Sequence, residues 1–431
     1  MSKRLFSLMA LLTITSLLLA ACGPAPTEAP SEPAGEEPTS APAGAGGLLM
    51  GMDEAALEAA GYVVYAPGEP IRVGISSGLT GPIPDLGLDT ANGALLAFDD
   101  LNAEGGYMGH VFESDLQDGA CDGDQGTAVG NLFASDPSIV AVQGGLCTGE
   151  TLGLRAVMEE ARIPLVTASA TGVTITGAEW TVMNRTPLAD KLQADVDAAY
   201  IYNDLGITSI ALIHDSTDYG LGLAELVQGS FEALGGTVTS TNGHQVGDTD
   251  FRTTLTTIGT EGAGLIFFGG YATEAGLIAS QKNEVGLTDV VFMSGDGALT
   301  QQYVDAAGAA AEGTYISSPV GDTDPDAVAE FDAKYEATFG IPVAGPYHLH
   351  AYDAVLMIAN AIEAVAQTDE GDEGYLIIER EALIAAIRAT SGFDGLTGTL
   401  TCNDIGDCGA GGVQIFRVEG GEFVQVSGFG L

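Results

Sequence analysis

The stretch that most constrains this chain runs from Val140 to Gly172: VAVQGGLCTGE, then TLGLRAVMEEARIP, then LVTASATG. Its periodicity reads as a strand, a Gly-rich turn, a helix, a second strand and a second small-residue turn. Each apolar run ends in hydroxyls. The first leads into Cys147 and Thr148, and the second ends at Ser169 and Thr171. In an open parallel sheet, ligands bind beyond the carboxyl ends of strands, where backbone N–H groups opening the next helix face an anion. Thr148, Ser169 and Thr171 are therefore half of a candidate small-molecule site. The alternative role for such hydroxyls is helix capping.

The same alternation continues on both sides of this stretch. Ile71 to Ile75 is a short apolar strand, Thr90 to Gly105 a helix and Ala128 to Ala134 another. The pattern restarts with a helix at Asp190 to Asn203 and a strand at Ser209 to Asp215, and its later strands run into Tyr219, Tyr271 and Asp296. A chain of 431 residues exceeds what one hydrophobic core organises, so two α/β domains with parallel sheets are expected. Two such lobes, each presenting polar strand ends, predict a cleft that closes on a ligand.

Charge and missing motifs remove other classes. The formal net charge is −46, with only 13 Lys and Arg, which excludes nucleic acid or anionic lipid as a partner of the global field. No phosphate-binding loop, nucleophile elbow or Ser–His pairing occurs, so no enzyme and no cofactor are expected. His348 and His350 are two residues apart and diverge on a helix, which argues against a metal pair. The run from Asp322 resembles a calcium loop only at Asp322, Asp324 and Asp326. Ala327 stands where that loop needs glycine.

The N-terminus reads as an address. Lys3 and Arg4 precede an apolar run, Leu5 to Leu19, too short to span a bilayer. Leu19-Ala20-Ala21-Cys22-Gly23 resembles a bacterial lipobox, which implies a signal peptide over 1–21 and lipidation of Cys22. The protein is then exported and anchored on the outer face of the cell membrane or in the periplasm. Pro24 to Gly47 is rich in Pro, Ala, Glu and Ser and cannot build a core, so 22–67 is expected as lipidated Cys plus tether, with a short helix of no assigned role near MDEAALEAAG. Four cysteines remain and allow three pairings. The short CNDIGDC loop favours Cys402–Cys408, leaving Cys121–Cys147, and neither spacing suits zinc.

Ten blocks in order carry a more specific resemblance: VGISSGLTGP, NAEGGYMGHVFE, GACDGDQGTAVGNL, GGLCTGETL, PLVTASAT, LIHDSTDYGLGL, GDTDFRTTL, FFGGYATE, FMSGDG and YHLHAYDAV. From Ile71 onward the chain resembles a type I periplasmic binding protein of the leucine/isoleucine/valine-binding family, which serves ABC importers. The resemblance implies two Rossmann-like lobes joined by three hinge strands, with lobe 1 over 70–188 and 321–400 and lobe 2 over 189–320 and 401–431. It implies a monomer that binds a branched-chain or other hydrophobic amino acid in the interlobe cleft and passes it to permease subunits. An alternative is a sensor for an amide or aromatic acid that acts through a signalling partner.

The resemblance also assigns residues. Thr148 stands at a family serine and Thr171 at a family threonine, both facing the ligand carboxylate, with Ser169 adding backbone polar groups. Asp296 stands where the family has the glutamate that meets the ligand ammonium, a carboxylate reaching about 1.5 Å less far. Tyr219 and Tyr271 match aromatic positions of the cleft, and Tyr347 supplies another wall. Leu86 replaces a family aromatic and enlarges the side-chain pocket.

Overall fold

A parallel strand covered on both faces is largely apolar, and the middle strands of the two sheets, IVAVQ and LIFFG, are. The computed structural model describes residues 49–368 and 374–430. The expected signal segment and Cys22 lie outside them. The described chain opens with α1 (Glu54–Ala59) and β1 (Tyr62–Tyr65). The first lobe follows with β2 (Ile71–Ser77), α2 (Pro84–Ala103), β3 (Phe112–Asp118), α3 (Gly123–Ser135), β4 (Ile139–Gln143), α4 (Thr148–Ala161), β5 (Leu165–Thr167) and β6 (Met183–Arg185). Its five strands are all parallel, in the order β3-β2-β4-β5-β6. Every residue of β4 is buried. Helix α2 begins six residues before its apolar face predicts, because Pro84 pre-sets the first turn at the position that needs no N–H.

The second lobe holds α5 (Asp190–Ala199), β7 (Ser209–His214), α6 (Asp218–Ala233), β8 (Thr237–Gly243), α7 (Arg252–Glu261), β9 (Leu265–Gly269), α8 (Ala272–Glu284), β10 (Val291–Ser294), α9 (Gln301–Ala307) and β11 (Tyr315–Val320). The chain then returns to the first lobe through α10 (Pro325–Phe339), α11 (His348–Val365), β12 (Gln367–Thr368), β13 (Leu376–Glu379), α12 (Arg380–Arg388), β14 (Phe393–Gly395) and β15 (Gly398–Leu400). It crosses once more to add β16 (Gly412–Glu419) and β17 (Glu422–Gly430) to the second sheet. That sheet is mixed: β11-β10-β9-β7-β8 is parallel, and β16 and β17 continue it antiparallel beyond β11. Helix α11 lies against α2 so closely that a Cβ on Gly93 would fall 2.1 Å from the His348 carbonyl oxygen.

The crossings are pinned where the first leaves β6. Arg185 is buried, its Nε meets Asp407 Oδ1 at 2.6 Å, and its Nη1 donates to the carbonyls of Thr171 and Gly172. Asp407 sits in the loop closed by the Cys402–Cys408 disulfide. The other two cysteines, Cys121 and Cys147, are joined to each other.

One expectation is corrected here. Residues 49–65, read from sequence as the end of the tether, fold onto the first lobe. β1 pairs antiparallel with β13, which pairs with β12. Leu57, Val63, Val64 and Tyr65 are buried, and the Tyr65 hydroxyl donates to the Ser138 carbonyl at 2.7 Å. The strand was missed because YVVY is too short to be told from any apolar patch beside a Pro-rich run.

Candidate functional site

The site grows from the ends of strands, where each strand hands its chain to a helix. After β4 the chain turns through Gly144 and Gly145, passes Cys147 and enters α4 at Thr148. The disulfide to Cys121 ties this turn to the loop after β3. Glu150, fully buried beneath it, accepts from Ser76 Oγ at 2.7 Å and from the Cys121 amide at 3.2 Å. Burial pushes its pKa up to about 7. After β5 the chain turns at Ser169 to Gly172, and the Gly172 amide donates to Thr148 Oγ1 at 3.3 Å. The two hydroxyl-bearing turns are thus fastened to one another.

The opposite wall comes from the second lobe. Tyr219 lies in the first turn of α6, Tyr271 immediately before α8, and Asp296 just after β10. The rings of Tyr219 and Tyr271 stack at 5.3 Å between centroids. The Tyr219 hydroxyl donates to Asp296 Oδ1 at 3.0 Å and accepts from the Gly297 amide at 3.1 Å. Tyr347, at the start of α11 on the first lobe, donates to Asp296 Oδ2 at 2.6 Å. This bond runs from one lobe to the other. A Cβ on Gly297 would meet the Gly270 carbonyl at 2.8 Å and the rings of Tyr219 and Tyr271 at 2.9 and 3.0 Å, so glycine is what lets Asp296 approach them.

These walls meet around a small cavity of about 20 Å³. Its lining includes all eight residues singled out from sequence: Leu86, Thr148, Ser169, Thr171, Tyr219, Tyr271, Asp296 and Tyr347. Ile83, Leu146, Ala170 and Gly297 join them, and sequence reasoning missed these because they carry no polar signal. Leu86 and Ile83, both from the start of α2, form an apolar end. Among the described residues, no Lys or Arg lines the cavity. Asp296 is 3% exposed, and burial raises its pKa against the lowering effect of the hydrogen bonds from Tyr347, Gln193 and Tyr219. Burial first, then the Asp296 charge, pushes the hydroxyls of Tyr219 and Tyr347 upward, so both remain donors. Chemically, the first-lobe side offers hydroxyls and the opening of α4 to an anion, and the second-lobe side offers a carboxylate to a cation.

Three further acids lie around this wall. Asp190 and Asp197 share one face of α5 with Gln193 and are buried. Asp215, after β7, takes the Thr217 amide and hydroxyl on Oδ1, and burial pushes its pKa up to about 6. The spacing of Asp190, Gln193 and Asp197 was visible in the sequence, but a polar helix stripe reads as a solvent face unless its orientation is known. Among the described residues, no group of acids, histidines or cysteines has the geometry to hold a metal ion.

The profile of the family described as "Periplasmic binding protein" matches residues 70–422. The leucine-, isoleucine-, valine-, threonine- and alanine-binding protein of Pseudomonas aeruginosa is 31% identical over 355 residues, covering 82% of this chain and 91% of its own. In structure, the chain resembles a leucine-binding protein of Thermotoga maritima (TM-score 0.74, 22% identity, 84% of this chain and 99% of that one). It also resembles a solute-binding protein of R. palustris in complex with 4-hydroxybenzoate (TM-score 0.71, 20% identity, 84% of this chain and 97% of that one). Both likenesses are of fold.

Proposed function

Because this chain belongs to the periplasmic binding protein family, we propose that its two lobes close on a hydrophobic amino acid and deliver it to an ABC permease. The observation that carries this reading is Asp296, held by one tyrosine hydroxyl from each lobe in a cavity that, among the described residues, no basic side chain lines. A buried carboxylate without a cation demands one from the ligand, because leaving it unpaired costs more than a small ligand returns. The carboxylate of the same ligand faces Thr148, Ser169, Thr171 and the opening of α4. Its side chain meets Ile83, Leu86 and the stacked tyrosines. Closure follows because ligand contacts come from both lobes at once. No covalent step is required.

The P. aeruginosa relative, by its name, binds leucine, isoleucine, valine, threonine and alanine, which supports an aliphatic amino acid here. An amine-free acid such as the 4-hydroxybenzoate of the R. palustris protein would leave Asp296 without a counter-ion. Export, lipidation at Cys22, a tether and a monomeric head complete the proposal, resting on the leader and lipobox-like residues and on the family. The lobe limits 70–188 with 321–400, and 189–320 with 401–431, are offered as the moving bodies.

The test is a thermal-shift panel on residues 49–431 against the amino acids and simple carboxylates. A ligand that binds only the folded state raises the melting midpoint as its concentration exceeds its Kd. L-Leucine or a close aliphatic relative is expected to raise it, and Asp296→Asn to abolish the rise. A response to amine-free acids alone would overturn the assignment of ligand class.

A further inference from the structure

Arg185 lies outside the cavity, yet it is among the largest side chains to be fully buried, and its guanidinium reaches the back of the ligand-facing turn. Its Nη1 donates to the Thr171 carbonyl at 2.9 Å and to the Gly172 carbonyl at 3.0 Å. In a trans peptide the N–H points away from the C=O, so a donor behind the Thr171 carbonyl turns the Gly172 amide forward. That amide donates to Thr148 Oγ1 at 3.3 Å. A Cβ on Gly172 would fall 2.5 Å from the Thr148 methyl carbon and 2.9 Å from its hydroxyl oxygen, so this approach needs glycine. The Thr148 oxygen is thus an acceptor, and among the described residues its hydroxyl donates to no partner, which leaves the proton for what enters the cavity. A hydroxyl that accepts one hydrogen bond is also a stronger donor of the next.

What holds Arg185 lies at the hinge. Its Nε meets Asp407 Oδ1 at 2.6 Å, and the Thr176 hydroxyl donates to the same oxygen at 2.9 Å. The backbone of Arg185 is fastened to the same loop. Its amide donates to the Gly406 carbonyl at 2.9 Å, and the Cys408 amide donates to its carbonyl at 3.0 Å. The Cys402–Cys408 disulfide closes this loop, and the third crossing leaves from it toward β16. A guanidinium carries its donors in a rigid planar fork, so fixing Nε on Asp407 fixes where Nη1 points. A lysine ammonium is a single point and cannot serve Asp407 and two carbonyls together. The Asp190 amide also meets the Thr171 carbonyl, at 3.0 Å, and the Ile175 amide meets the Gly172 carbonyl at 3.3 Å. Arg185 is the donor common to both carbonyls.

We propose that Arg185, braced by Asp407, is a positioning residue for the carboxylate end of the cleft: it holds the Thr171–Gly172 peptide so that Gly172 aims the Thr148 hydroxyl at the ligand's carboxylate. This inference rests on the amino-acid reading above. It answers the composition of the lining. Among the described residues no basic side chain lines the cavity, so neutral donors there serve the ligand's carboxylate only if they are held in place beforehand. A buried cation one peptide away does the holding.

Calorimetric titration of L-leucine into residues 49–431 gives affinities for the wild type, Arg185→Lys, Thr148→Val and the double variant. Each single change is expected to weaken leucine about tenfold, the effect of losing one hydrogen bond to a charged group. Because Arg185 acts through Thr148, adding Arg185→Lys to Thr148→Val is expected to cost less than about threefold more. Losses that multiply to about a hundredfold overturn the inference, since Arg185 then supports the fold without aiming that hydroxyl. Magnetic resonance of bound leucine, labelled with carbon-13 at its carboxyl and nitrogen-15 at its amine, gives a second readout that needs only saturation. Arg185→Lys is expected to move the carboxyl resonance and leave the amine resonance in place. Asp407→Asn, which keeps an oxygen for Arg185 and removes the charge, is expected to move the carboxyl resonance less and in the same direction. Carboxyl resonances unmoved in both variants, or carboxyl and amine resonances moving together, overturn the inference. Asp407→Asn alone decides it if Arg185→Lys does not fold. Each of these failures occurs with leucine bound and leaves the functional reading standing. Absence of a thermal shift with every amino acid overturns the functional reading, and this inference with it.

Discussion

At the scale of single residues, recognition turns on how a short acid is held. Asp296 cannot reach as far as a glutamate, so its two oxygens are each fixed by a tyrosine hydroxyl. A hydrogen bond to a charged group is worth about 1.5–3 kcal/mol. Tyr347→Phe removes one such bond, the one joining the lobes, and is expected to weaken leucine binding by roughly one to two powers of ten. Tyr219→Phe removes the other and also leaves the Gly297 amide without its acceptor, so its cost is at least as large. Tyr271 contributes its ring to the stack, and Tyr271→Phe is expected to change affinity by less than about threefold. Calorimetric affinities for the three variants check this order, and equal losses would contradict it. Eight of the lining residues stood out in the sequence because each is polar, aromatic or out of family pattern at a strand or helix end. Asp190 did not, because helical spacing gives a face and does not say what that face meets.

At the scale of elements, strand–helix alternation was readable wherever strands were long apolar runs, as in β4 and β9, both buried throughout. The tether boundary was not, because β1 is four residues long and its partner β13 lies more than three hundred residues away. Pairing at that separation leaves no local trace. The consequence is testable. A head that starts at residue 68 loses α1 and β1, and with them the buried Leu57, Val63, Val64 and Tyr65. Each such side chain contributes about 1.5–3 kcal/mol. The head starting at 68 is expected to melt lower than the head starting at 49 by on the order of 10 °C. Equal midpoints would show that the module is a passenger.

At the scale of the whole molecule, the resemblance supplied the threefold crossing between sheets, which periodicity alone cannot reveal. The buried acids make a further demand here. Glu150, with its pKa pushed up to about 7, and Asp215, up to about 6, bind protons more tightly folded than unfolded. Between their unfolded values and these, the folded state holds the extra proton, so stability falls as pH rises. His350, buried neutral with its pKa lowered to about 3, opposes this only below about pH 6.5. The melting midpoint is therefore expected to rise as pH is lowered from about 8 to about 6. High salt, which screens the −46 surface, should leave that slope standing. Glu150→Gln should remove part of it, and a flat profile would contradict the pKa assignments.

The central claim is that the cleft selects for a ligand's amine. The measurement that tests it most directly is the Kd of L-leucine against that of its α-hydroxy analogue, which keeps the carboxylate and side chain and replaces the ammonium by a hydroxyl. Losing the partner of a buried charge costs about 2–5 kcal/mol, so leucine is expected to bind at least about thirtyfold more tightly, with the preference collapsing in Asp296→Asn. Equal affinities, or a preference for the hydroxy acid, would contradict it.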